Sequence, residues 1–267
     1  MISIRQLTKH YGDNPVLRGI DLDVCAGEFV VVLGQSGAGK STLLRCINRL
    51  VQADSGTLSV AGIDAIACRD TSLLRRQAAM IFQHHNVVPR LSVLKNVLTG
   101  RLGAVPTLTS ILQLFRREDV ALAMQCLERV ELAHKAGERT DSLSGGQMQR
   151  VGIARALAQR PQVILADEPV ASLDPKTARL VLQYLRDATR ELGITVLCNL
   201  HQVDYAREFG DRIVGLAHGR LVYDGDASNM TDADLQRIYP GQAAELQSAS
   251  ATPPKPIVHA AQQRVGA

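Results

Sequence analysis

Apolar positions along this chain fall into two kinds of pattern that alternate: short unbroken runs, and longer stretches of helical spacing. Phe29-Val-Val-Val-Leu33, Ala79-Met-Ile-Phe-Gln83, Val163-Ile-Leu-Ala-Asp167 and Ile194-Thr-Val-Leu-Cys-Asn-Leu200 are the runs. They are built of β-branched and large apolar residues, as strands buried on both faces must be. Helical spacing follows the first run, at Leu43, Leu44, Ile47, Leu50 and Val51, and recurs at Met148, Val151, Ala154, Leu157 and Ala158. Residues 176–192 predict a further helix. The chain therefore reads as an α/β fold.

The flanks are patterned differently. Ile2, Ile4 and Leu7 alternate, a turn follows at Gly12-Asp-Asn-Pro15, and residues 16–24 continue as a second strand. Residues 56–62 predict another short strand. From 84 to about 140 strand-like runs vanish. Helices are expected near 92–100, where Ser92 is an N-cap candidate, and near 118–132, where Val120, Leu122, Ala123, Leu127 and Val130 form an apolar face. Between them, 102–117 holds Pro106 and a Thr/Ser-rich turn. Residues 84–150 thus predict a helical lobe inserted into the α/β core. Residues 212–219 and 220–225 predict a closing hairpin, and 232–238 a short last helix. Residues 241–267 are rich in Ala, Gln, Ser and Pro and are expected to be unstructured.

The candidate chemistry sits where runs meet helices. Gly34-Gln35-Ser36-Gly37-Ala38-Gly39-Lys40-Ser41-Thr42 links a buried strand to a helix, the setting a phosphate-binding loop requires. Glycines let successive N–H groups curl around an anion, and the helix N-terminus adds positive potential. Lys40 supplies a charge for the β- and γ-phosphates, and Ser41 a hydroxyl for Mg2+. The run Val163–Asp167 ends at Asp167-Glu168: Asp167 is the Mg2+ partner, and Glu168 is placed to polarise a water for attack on the γ-phosphate. Gln83 and His201 occupy comparable strand ends, where α/β folds bind ligands. Gln83 reads as a metal or water contact or as a surface glutamine. His201 reads as a γ-phosphate contact or as a surface histidine. Leu143-Ser144-Gly145-Gly146-Gln147 precedes a helix, with Ser144 as its cap, and reads either as a second anion site or as a capped helix. Tyr11 reads as a base-stacking platform or an ordinary turn tyrosine.

Composition trims the alternatives. The chain has 267 residues, 46% of them hydrophobic, enough for one large core or two modest lobes. Its net charge is +4, and the charges are interspersed, which fits a solvated surface and no nucleic-acid groove. The five cysteines stand singly at 25, 46, 68, 126 and 198, so neither a zinc site nor a disulfide framework is expected, and a reducing compartment fits. His84-His85 lacks further metal ligands. No apolar run approaches the ~18 residues of a membrane span, and residues 1–7 lack a signal peptide's apolar core. The chain is expected to be soluble, with any membrane role depending on a partner that spans.

Taken in order over about residues 1–240, these motifs resemble the ATP-binding subunits of ABC transporters. The resemblance implies a P-loop NTPase core of ABC ATPase type with an N-terminal antiparallel β portion and an inserted α-helical subdomain. Tyr11 would stack on adenine, residues 34–42 are Walker A, Gln83 the Q-loop and 143–147 the family signature. Val163–Asp167 matches Walker B, Glu168 the catalytic glutamate, Asp174 the D-loop and His201 the switch histidine. The resemblance further implies a head-to-tail homodimer in which Ser144, Gly145, Gly146 and Gln147 complete the partner's ATP site. It also implies transmembrane permease subunits, an extracytoplasmic substrate-binding protein, and a peripheral place on the cytoplasmic face of the inner membrane. Residues 82–101, 167–175 and 199–204 look most like the phosphonate importer branch, although His84-His85 stands where Gln-Phe is expected. Importers of phosphite, phosphate or an amino acid, and soluble ABC ATPases, remain open alternatives.

Overall fold

A computed structural model describes residues 1–84, 86–105 and 115–241; the Thr/Ser-rich turn, His85 and residues 242–267 lie outside that set. The buried runs assemble into one six-stranded sheet. Its strands are β3 (Phe29–Leu33), β6 (Ala78–Ile81), β7 (Val163–Asp167), β8 (Thr195–Asn199), β9 (Arg212–Ala217) and β10 (Arg220–Asp226). The order is β10-β9-β3-β8-β7-β6, parallel throughout except that β10 returns antiparallel beside β9. A second sheet is antiparallel, ordered β2-β1-β4-β5, from β1 (Ile2–Tyr11), β2 (Asn14–Val24), β4 (Ser55–Val60) and β5 (Ile63–Asp64).

The alternation within β3 explains the layering. Val30 and Val32 face one apolar cluster, shared with Leu43, Leu44 and Ile47 of α1 (Lys40–Ile47) and with Ile2, Ile4, Leu17 and Leu22 of the antiparallel sheet. Phe29, Val31 and Leu33 face the other cluster, which holds Leu127, Val151, Leu182 and Leu185. Helix α1 therefore runs between the two sheets, and the remaining large helices cover the opposite face. At about 25 cal/mol per Å2 of apolar surface removed from water, these two-sided runs are where folding free energy concentrates.

The other helices are α2 (Thr71–Gln77), α3 (Val93–Leu98), α4 (Arg117–Arg129), α5 (Gly145–Ala158), α6 (Pro175–Leu192), α7 (Val203–Phe209) and α8 (Asp232–Ile238). Helices α3 and α4 intervene in sequence between β6 and β7, as expected of the inserted lobe, and α5 packs on both. Ser92 Oγ accepts from Lys95 N–H, capping α3 as its sequence position implies. Helix α3 is shorter than the 92–100 expectation because residues 99–104 tighten into a 3-10 turn. Helices α2 and α7, seven residues each, were not among the elements expected from sequence.

Candidate functional site

Strand β3 delivers the glycine loop at its carboxyl end, beside β8 and one strand from β7. Residue 39 caps α1 with φ +105 and no side-chain hydrogen bond, so the first N–H groups of that helix are left to an approaching anion. Lys40 is 4% exposed, and its Nζ donates to the carbonyls of Gly34 (2.6 Å) and Gln35 (3.2 Å). Burial lowers its pKa from 10.5, while Glu168 and Asp167 pull it back up. Among the described residues Lys40 has no salt bridge of its own. A buried ammonium held only by carbonyls is a receptor for negative charge.

Asp167 ends β7 and is likewise 4% exposed. Its Oδ1 accepts from Ser41 Oγ at 2.7 Å and from Asn199 Nδ2 at 2.8 Å, and Arg45 Nη2 stands 3.8 Å from Oδ2. Glu168 follows with φ +51, a conformation that costs a non-glycine residue on the order of 1–3 kcal/mol and is tolerated where the surroundings impose it. That turn brings Glu168 Oε1 to 2.7 Å from His201 Nε2, just beyond β8. Thus Lys40, Ser41, Asp167, Glu168 and His201, drawn from three adjacent strand ends, converge as their sequence positions suggest. The donor set of hydroxyl and carboxylate oxygens suits a hard cation such as Mg2+.

Gln83 lies two residues past β6, is exposed, and forms no hydrogen bond to this cluster. Tyr11 is the last residue of β1 rather than part of a turn; its ring is half exposed, with Lys9 Nζ 5.5 Å from the ring centroid. The signature helix is self-capped: Ser144 Oγ accepts from Gln147 N–H, and Gln147 Oε1 accepts from Ser144 N–H. Among the described residues the N–H groups of Gly145 and Gly146 carry no side-chain cap, and no hydrogen bond joins residues 144–147 to the glycine loop. Gly146 also has a packing reason, since a Cβ there would come within 2.5 Å of Thr177 Cγ2 on α6. Asp174 caps α6, accepting from Lys176 and Thr177 N–H, and the hydrogen bonds from Thr177 hold its pKa below the usual carboxylate value.

Several contributing residues were not singled out from sequence. Asn199 had a signal, a polar side chain inside an apolar run. Tyr239 had none: its hydroxyl, at the end of α8, accepts from Gly34 N–H (3.3 Å) and donates to His201 O (3.4 Å). Burial pushes that phenol up to about 12. Arg155 of α5 donates to Asn86 O at 2.6 Å, fastening the signature helix to the segment after Gln83.

A glycine cradle, a buried lysine and strand-end acids on a sheet carrying an inserted helical lobe define a P-loop nucleoside triphosphatase of the cassette class. The ABC transporter family pattern matches residues 17–171. A phosphonates import ATP-binding protein of Oceanobacillus iheyensis is 47% identical over 249 residues, 92% of this chain and 98% of the relative. One from Staphylococcus aureus is 51% identical over 241 residues, 89% and 94% of the two chains. Among solved structures, the dimeric post-hydrolysis state of the ATP-binding cassette MJ0796 bound to ADP and Pi is 33% identical with a TM-score of 0.73, covering 86% of this chain and all of that one. A nucleotide-free cassette from an ABC transporter is 25% identical with a TM-score of 0.77, covering 92% and 98%. The chain belongs to the ABC transporter family, as one of its ATP-hydrolysing subunits.

Proposed function

We propose that this chain is the energy-coupling ATPase of a phosphonate importer, working as a head-to-tail homodimer beneath transmembrane permease subunits. The observation that carries the nucleotide chemistry is the buried Lys40 ammonium, bonded only to carbonyls and facing two carboxylates. The cargo is supported by the relatives' names and by the branch-like segments at 82–101, 167–175 and 199–204. Residues 1–240 form the ATPase domain in this reading, with the helical subdomain at roughly 84–150. No helix among the described residues is long and apolar enough to cross a membrane, so translocation falls to partner subunits. The chain would sit peripherally at the cytoplasmic face of the inner membrane, with an extracytoplasmic binding protein delivering cargo to the permease.

Each residue has a task that follows from its chemistry. Tyr11 offers a ring face to adenine, and the N–H groups of residues 34–42 with Lys40 hold the β- and γ-phosphates. Ser41, Asp167 and Gln83 would hold Mg2+, which when bound offsets phosphate charge. Glu168 accepts a hydrogen bond from the attacking water and polarises it toward the γ-phosphate, and His201, 2.7 Å from Glu168, orients the pair. Ser144, Gly145, Gly146 and Gln147 serve the partner's nucleotide: unbonded to the loop of their own chain, they present two uncapped N–H groups at a helix end. Asp174 lies at the dimer seam. ATP thereby stabilises the closed dimer, and hydrolysis removes that stabilisation.

A cleft of about 420 Å3 where α2 and residues 99–104 meet the end of α5 is lined by Arg75, Arg76 and Arg160, and supports docking of a permease segment there. The test of the mechanism is Glu168→Gln, expected to bind ATP and accumulate as a dimer while turnover disappears. Hydrolysis at the parent rate would sink it. Uptake of phosphonate, against phosphite, phosphate and amino acids, by vesicles holding permease and binding protein tests the cargo.

A further inference from the structure

A central parallel strand with both faces covered has no use for a polar side chain, yet β8 ends on one. Asn199 is fully buried, and its neighbours in register are Asp167 on β7 and Val32 on β3. In a parallel ladder registered residues present their side chains to the same face, so the amide lies beside the Asp167 carboxylate on the α1 side of the sheet. The amide donates one bond, from Nδ2 to Asp167 Oδ1, and its own Oδ1 is buried with no hydrogen-bond partner among the described groups. An apolar side chain would incur no such cost. Packing therefore does not explain the residue. What the amide does is hold one oxygen of one carboxylate.

That oxygen is the one that matters for Ser41. Asp167 Oδ1 accepts from both Asn199 Nδ2 (2.8 Å) and Ser41 Oγ (2.7 Å), whereas among the described residues Oδ2 faces the half-exposed Arg45 guanidinium at 3.8 Å. With its proton committed to Oδ1, the Ser41 hydroxyl turns its lone pairs away from the carboxylate, available to a cation. The orientation of that hydroxyl is only as fixed as the carboxylate it points to. The backbone sets where Asp167 begins; the Asn199 bond sets how its carboxylate is rotated.

We propose that Asn199 is a positioning residue for the divalent-cation site: by anchoring Asp167 Oδ1 it fixes the carboxylate plane and, through it, the Ser41 hydroxyl that receives the metal. The inference rests on the reading of this site as one for ATP and Mg2+. Asn199 is fully buried and its bond goes to Asp167, so its effect falls on the metal and not on the metal-free triphosphate.

The experiment uses the full chain with ATP and Mn2+, whose electron paramagnetic resonance signal reports free and bound metal. Asn199→Ala and the branched apolar Asn199→Val are each expected to weaken Mn2+ binding in the nucleotide complex by roughly 10- to 100-fold, as removing a partner of a metal ligand does. Affinity for ATP in chelator should stay at the parent value in both variants. Parent-like Mn2+ affinity in either folded variant overturns the proposal. So does a parallel loss of metal-free ATP affinity, or failure of both variants to fold, because either assigns the amide to the fold. Failure of the parent itself to bind Mn2+ with ATP would instead overturn the reading of the site.

Discussion

Two glycines of the same loop should behave differently when given a methyl group. At Gly34 a Cβ would lie 2.3 Å from the backbone oxygen of Leu216 and 3.2 Å from Ala38 Cβ, with φ at +157. Leu216 belongs to β9, paired to β3 through Leu33 and Gly215, so its carbonyl yields only if that ladder loosens. Forced overpacking costs about 1–3 kcal/mol and an L-residue in that backbone region about 1–3 more, together about 2–6 kcal/mol. At Gly37 φ is +79, but nothing lies within 4 Å, so Gly37→Ala bears only the backbone term, about 1–2 kcal/mol. Both changes should impair ATP binding; stability separates them. Urea unfolding at constant m-value should move the Gly34→Ala midpoint farther than that of Gly37→Ala, about two- to threefold when like ends of the two ranges are compared. In a domain of this size each kcal/mol is also roughly 2–4 °C of melting temperature. Equal shifts, or a larger one at Gly37, would refute the claim that Gly34 is required by the neighbouring strand as well as by the phosphates.

Two further outcomes follow from the same geometry. Gly146→Ala places a methyl 2.5 Å from Thr177 Cγ2 and should cost about 1–3 kcal/mol. Adding Thr177→Ser, which removes that methyl group, should recover much of the loss; additive effects in the double-mutant cycle would show that the helices do not meet there. Lys40 is charged below its pKa, and burial lowers that pKa from 10.5. ATP affinity, followed by nucleotide fluorescence, should therefore decline with rising pH before 10.5 is reached. Lys40→Arg should remove that decline, because guanidinium keeps its charge through the same window. A flat parent profile up to 10.5 would contradict the depressed value.

The strand-end acids were legible in sequence because the pattern of buried parallel strands is nearly context-free. A run such as Val163–Asp167 announces both the strand and the acid that ends it. Residue 34 was legible as a phosphate glycine but not as a packing glycine, because Leu216 lies far away in sequence. Asn199 offered a faint signal and Tyr239 none, since a phenol at the end of a short helix is common and its partners, a donor N–H at Gly34 and an acceptor carbonyl at His201, sit on two distant loops.

Local order along the chain thus determined the class of fold, the anion-binding loop, the inserted lobe and the identity of the acidic and basic groups. Each depends on periodicity or on residues a few positions apart. Only the tertiary structure decided how those groups are held. The strand order places β8 between β3 and β7, and this sets Asn199 against Asp167 and His201 against Glu168. It also left residues 144–147 unbonded to the loop of their own chain, self-capped on a helix packed against α6. Pairing across a sheet joins residues by register, and register between strands so far apart in the chain is a property of the folded whole.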